Sequence, residues 1–161
     1  MPVPLHGGKY DSEPVLSVER EATYARERGR DTDRVPTSVV VCFSGTLLDH
    51  LVETHGGREL QVSAYQGRLF RLDGPAGDVG VVGGFGVGAP ATAMVVESLA
   101  HRGTEAFALC GYAGALDADV GSADTLVATE ALRDEGTSYH YRPAARTAVP
   151  PGGLTDELVE R

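Results

Sequence analysis

Three short, unbroken apolar runs constrain this chain more than any other feature. They are "SVVVCF" from Ser38, "DVGVVGGF" from Asp78 and "EAFALC" from Glu105. A run that is apolar at every position, rather than at alternate ones, belongs to a strand covered on both faces. Helical text separates the runs. In "GTLLDHLVETHGG", Leu47, Leu48, Leu51 and Val52 fall at helical spacing, with Gly56 near the C-cap. "GAPATAMVVESLAHRG" is the clearest helix, with Pro90 in its first turn and Gly103 at its stop. Buried strands joined by helical crossovers pair in parallel, so the pattern predicts an α/β fold, a layered mixed and mostly parallel sheet with flanking helices.

The flanking text is less regular. Residues 1–37 read as a polar N-terminal segment and residues 38–161 as a partial α/β domain. Within the first, "SVEREATYARERG" predicts a helix over Ser17 to Gly29, with Ser17 as N-cap. "LQVSAYQGRLFRLDG" has strand character and a turn at Gln66-Gly67. "DTLVATEALRDEG" predicts a last strand running into a polar loop. From Ala144 onward, "AARTAVPPGGLTDELVER" reads as a loop and the first turns of another helix. An α/β domain that stops there is expected to be truncated at its C-terminus.

Charge narrows the partners. The formal net charge is −9, and Lys9 is the single lysine. An acidic surface repels phosphate backbones and anionic lipid, which argues against nucleic-acid binding and membrane docking. No run of about 18 apolar residues predicts a transmembrane helix. "MPVPLHGGKYDSEP" does not read as a secretory signal, so a cytoplasmic location is expected. Cys42 and Cys110 lie in separate apolar runs and are expected to be buried, reduced core thiols.

The glycine cluster "VVGGFGVGAPATA" sits between a strand and a helix, and Gly84, Gly86 and Ala89 satisfy G-x-G-x-x-A. A dinucleotide site would need a carboxylate at the end of the next strand, to meet the ribose hydroxyls. That strand ends "ALCGYAG", and Glu105 lies at its other end. A ligand-free strand-to-helix turn is the plain alternative. His6, His50, His55, His101 and His140 show no metal spacing. Ser44 lacks the G-x-S-x-G elbow of a serine hydrolase. The acids of "RDEG" read as a solvated loop.

Three segments together carry a resemblance. "GGFGVGAPATAMVVESLAHRG" resembles the strand, "GIGGPS-T" turn and helix of nucleoside phosphorylases, especially uridine phosphorylases. "CGYAGALDADVGSADTLVATEALRDEGTSYHY" resembles the next block of that family, with a "GTxG" turn, a "GD" and an "R-x-x-G-x-S-x-H" loop. Arg133, Gly136, Ser138 and His140 match the loop. The likeness is fainter over Ser38 to Val52, and it covers the first part of a family member.

The resemblance implies phosphorolysis of a nucleoside such as uridine to free base and pentose 1-phosphate. Phosphate is then a co-substrate, no cofactor is needed, and the expected partners are nucleoside, phosphate and further copies of the chain in a homo-oligomer. By residue, it implies nucleoside contacts at Gly86, Gly111 and Gly114, and at His6 across a subunit interface. It implies a phosphate contact at Arg58 from a neighbouring subunit, although the spacing is offset by several residues. The sequence departs from the family elsewhere. Phe43 and Leu47 replace the glycine and arginine of a "GDP-x-R" turn, Leu109 replaces a second arginine, and Tyr112 replaces the threonine of "GTxG". Two other readings stay open. Water as nucleophile, in a hydrolytic nucleosidase, does not need those arginines. A non-catalytic remnant or nucleoside-binding module needs none of the chemistry.

Overall fold

Val39, Val41, Val81 and Val82 are almost completely excluded from water, which is why the first two apolar runs become neighbouring central strands. The computed structural model describes residues 8–63, 66–74 and 77–160. Its main sheet holds β1 (Ser38–Cys42), β2 (Arg58–Glu59), β3 (Arg68–Arg71), β4 (Val79–Gly83) and β5 (Ala106–Cys110), in the spatial order β2-β3-β4-β1-β5. β4 and β5 flank β1 in parallel, with Val40 opposite Val81 and Ala108. β2 and β3 add an antiparallel flap, Phe70 lying opposite Val81.

Alternation along the strands divides the core. Val39, Val41, Leu69 and Val82 face one side and pack with Val95 and Leu99 of α3 (Ala89–His101). Val81, Cys42 and Phe70 face the other and pack with Leu48 of α2 (Gly45–Thr54). The two crossover helices therefore cover opposite faces, as the layered expectation requires. Burying each such Val or Leu contributes roughly 1.5–3 kcal/mol. Outside this sandwich, α1 (Val18–Glu27) lies on α3. Its N-cap is Ser17, whose hydroxyl accepts from the Arg20 amide at 3.3 Å.

A buried ion pair ties the loop after α1 to the end of α3. Arg102 Nε donates to Asp31 at 2.7 Å, with both side chains nearly inaccessible. Asp31 also accepts from the Ser63 amide at 2.6 Å.

Glu13–Tyr112 forms one compact unit. The second combines the 3-10 turn Lys9–Asp11 with the segment after Ala113, and none of its described residues is buried. The second unit contains β6 (Ala131–Leu132) paired with β7 (Thr147–Ala148), the 3-10 turn Ser138–His140, and α4 (Leu154–Val159).

Three expectations need correction. The strand expected within Asp124 to Gly136 shrinks to the two residues of β6, because that segment has no sheet to join beyond β7. Leu60 to Ser63 is not strand; pairing precedes it, at Arg58–Glu59. Cys110 is exposed rather than buried, because β5 is an edge strand.

Candidate functional site

Parallel strands that share a direction bring their following loops to one edge, and that edge is where open α/β sheets hold ligands. Here β4, β1 and β5 end together, so Gly84–Gly88, Phe43–Thr46 and Gly111–Tyr112 meet at the C-terminal edge of the sheet. α2 and α3 both start from this edge. Ser44 caps α2 by accepting from the Leu47 amide at 3.3 Å. α3 begins after Gly88 without a side-chain cap, and Thr92 returns its hydroxyl to the Gly88 carbonyl at 3.1 Å.

Phe43 joins the three loops. Its amide donates to the Cys110 carbonyl at 2.9 Å, extending the β1–β5 pairing by one step. Its ring meets Phe85 edge-on, with centroids 5.8 Å apart and planes at 69°. Its Cβ is so near Gly111 that a Cβ added there would lie 3.1 Å away. In the sequence Phe43 shows only as a departure from the family's glycine; in the structure it is the residue on which the edge is assembled. The signal that could have found it was its position one residue past a buried strand, next to an N-cap serine.

Gly86 has φ +100°, a backbone region that side chains disfavour, so the turn depends on glycine here. The rim around these turns is uncharged: Phe43–Thr46, Gly84–Gly88 and Gly111–Tyr112 contain no acid or base. Phe43, Val87 and Tyr112 stand exposed on it. Such an edge offers backbone N–H groups and apolar or aromatic surface, which suits a neutral, flat molecule better than an isolated anion.

The structure brings together Gly86 and Gly111 of the expected nucleoside contacts. Gly114 belongs to the second compact unit, exposed, with open space at its α-carbon. His6 lies outside the described residues. Arg58 is on β2, opposite Arg71, which in turn lies opposite Gly80 near the start of β4. It therefore sits two strands from β4 and at the other end of the sheet, within 3.5 Å of Asp33. Leu47 packs against the α2 side of the core, whereas Leu109 remains 59% exposed.

The loop Arg133–His140 is held from within the second unit. Arg133 donates to Ser138 Oγ at 2.9 Å and to the Pro143 carbonyl at 2.8 Å, and its guanidinium lies over the Tyr139 ring. Glu135 accepts from the Ser138 amide at 2.9 Å. Hydrogen bonding by Ser138 holds the Glu135 carboxyl below the ordinary glutamate range. Tyr10 donates its hydroxyl to the Tyr139 and Arg142 carbonyls at 2.7 and 2.9 Å, and Lys9 contacts His140. These fixing roles of Lys9, Tyr10 and Glu135 left no trace in the sequence pattern. Among the described residues, no group of three or more His, Cys, Asp or Glu could hold a metal ion, and no helix is long and apolar enough to cross a membrane.

Residues 37–161 match the sequence profile of the phosphorylase superfamily. A guanosine phosphorylase of Halorubrum lacusprofundi is 45% identical over 74 residues, which is 46% of this chain and 31% of that protein. A uridine phosphorylase of Klebsiella aerogenes is 39% identical over 75 residues, covering 47% of this chain and 30% of its own length. Among solved structures, uridine phosphorylase from Vibrio fischeri superposes with a TM-score of 0.70 at 26% identity, over 79% of this chain and 53% of that one. A purine nucleoside phosphorylase from Toxoplasma gondii gives the same TM-score at 20% identity, a likeness of fold. The matched part thus spans about a third of the curated relatives and about half of the structural ones.

Proposed function

This chain belongs to the phosphorylase superfamily, and from that premise we propose that it supplies the nucleoside-binding floor of a phosphorylase-type site. The observation that carries this reading is the meeting of Phe43, Gly84–Gly88 and Gly111 at the C-terminal edge of β4, β1 and β5. The proposed substrate is a purine or pyrimidine nucleoside, in line with relatives named for guanosine and uridine. Phosphate is the proposed co-substrate. Its attack at C1′ would release the base, with positive charge developing on the pentose as the bond breaks.

The rim explains where the reaction would be weak. Leu47 and Leu109 stand where the family resemblance places arginines. A charge-assisted contact to phosphate is worth roughly 1.5–3 kcal/mol. Without two of them, phosphorolysis would slow by roughly two to four orders of magnitude if the losses added. The uncharged rim favours a second reading, hydrolysis by water, which needs no anion ligand.

Calorimetry with uridine and guanosine tests the floor, and base release with and without phosphate tests the chemistry. The 161-residue chain is expected to bind a nucleoside and to show no measurable phosphate-dependent base release. Gly86→Val, folded by circular dichroism, should lose the binding, and Phe43→Ala should weaken it. Unchanged affinity in both variants would sink the site assignment. Robust turnover that ignores phosphate would select the hydrolytic reading.

A further inference from the structure

Backbone and side chains at the C-terminal edge of β4, β1 and β5 give opposite instructions. φ is positive at Gly84, Gly86 and Gly88, at 72°, 100° and 89°. Positive φ alternating through a turn aims its amides into one concavity, the kind of backbone seat that draws anions. The first turn of α2 opens onto the same edge, where the Gly45 and Thr46 amides have no acceptor within the helix. Yet the three loops carry no cation, and an aromatic ring stands in their midst.

That ring belongs to Phe43, which follows β1, the central strand of the three, and so has a loop on either side. Towards β5, its Cβ, Cδ2 and Cγ lie 3.1, 3.2 and 3.6 Å from where a Cβ on Gly111 would stand. Towards β4, it meets the ring of Phe85, which is buried in the core and cannot give way. Its own amide is fixed on the Cys110 carbonyl, so the backbone cannot carry it aside. The ring offers no hydrogen-bond donor, and its face carries the negative end of a quadrupole. An oxyanion set against it loses water without gaining a partner, which is costly.

We propose that Phe43 is the specificity-determining residue of this edge, closing its seat to oxyanions by bulk, so that phosphate is refused even where a cation is supplied. This deepens the nucleoside-site reading and rests on it, and of the two nucleophiles named there it favours water. Charge and bulk are separable here. Leu109 is the register partner of Val41, which packs with the α3 side of the core. Phe43, two residues beyond Val41, falls on that same side, as does Phe85. A cation at position 109 is therefore delivered to the side of the edge that the ring occupies.

Calorimetry with inorganic phosphate reads the seat without any nucleoside. The wild-type chain and Leu109→Arg should both give no saturable heat. Phe43→Gly combined with Leu109→Arg should bind phosphate roughly tenfold or more tightly than Leu109→Arg alone, the worth of about one charge-assisted contact, and sulfate should compete. Phe43→Ala combined with Leu109→Arg repeats the test should glycine unfold the edge, with circular dichroism as the check. Phosphate binding by the wild-type chain would overturn the proposal. So would equal phosphate affinity in Leu109→Arg with and without the ring, or no phosphate binding by a folded double variant. Uridine and guanosine are titrated separately: a wild-type chain that binds neither tells against the nucleoside reading, while closure by Phe43 is decided by the phosphate titrations alone.

Discussion

Cys42 and Cys110 look alike in the sequence and occupy paired positions on neighbouring strands, yet their surroundings differ. Cys42 is enclosed, and burial pushes its thiol up from the ordinary cysteine range; Cys110 stands in the open on the edge. The thiolate is the reactive form, so enclosure and the raised thiol both slow reaction at Cys42. A disulfide reagent applied to the dilute native chain is expected to label Cys110 quickly and Cys42 only after unfolding. Equal rates would show that the α2 side of the core opens readily. The mismatch with the sequence reading is instructive. An apolar run reports that a strand is suited to burial on both faces, but not whether a neighbour is there to bury it. Phe43 teaches the converse. Its identity was visible as a departure from the family turn, but its contacts with Phe85 and Gly111 depend on three loops that only the fold brings together.

At the level of elements, β1, β4, α2 and α3 were legible because their signals are local: unbroken apolar runs, helical spacing, a proline near a helix start and glycines at its ends. The turn before β3 was legible too, at Gln66, which has φ +61°. The antiparallel placement of β2 and β3 was not, since pairing direction depends on how the chain returns. β6 is shorter than its sequence predicts for a related reason: extended pairing needs an adjoining strand and a buried face, and among the described residues the segment has neither beyond two residues of β7. Close strand packing gives a sharper test. At Gly80 an added Cβ would lie 2.6 Å from Pro36 Cγ and 2.7 Å from the Phe70 carbonyl oxygen. Neither the proline ring nor the β3 backbone yields easily, so Gly80→Ala should cost roughly 1–3 kcal/mol, the usual price of overpacking. Urea unfolding measures it, as a lower midpoint with the slope retained. An unchanged midpoint would mean that β3 and the Pro36 loop can move apart freely.

For the molecule as a whole, stability is distributed unevenly. The unit Glu13–Tyr112 contains every buried hydrophobic residue of the described chain, and residues 113–160 contain none. Local opening costs least where few apolar contacts must break. Amide exchange followed by mass spectrometry should therefore show β1 and β4 protected longest, and residues 113–160 exchanging far sooner, with the Arg133–His140 loop slowest among them because of its internal hydrogen bonds. Equal protection across both units would contradict this division. The exposed apolar residues Leu116, Leu126, Leu154 and Leu158 in that segment are the counterpart of its missing core. The buried Arg102–Asp31 pair has a separate consequence: neither charge reaches water, so the loop after α1 cannot leave the end of α3 without stranding a charge in the core.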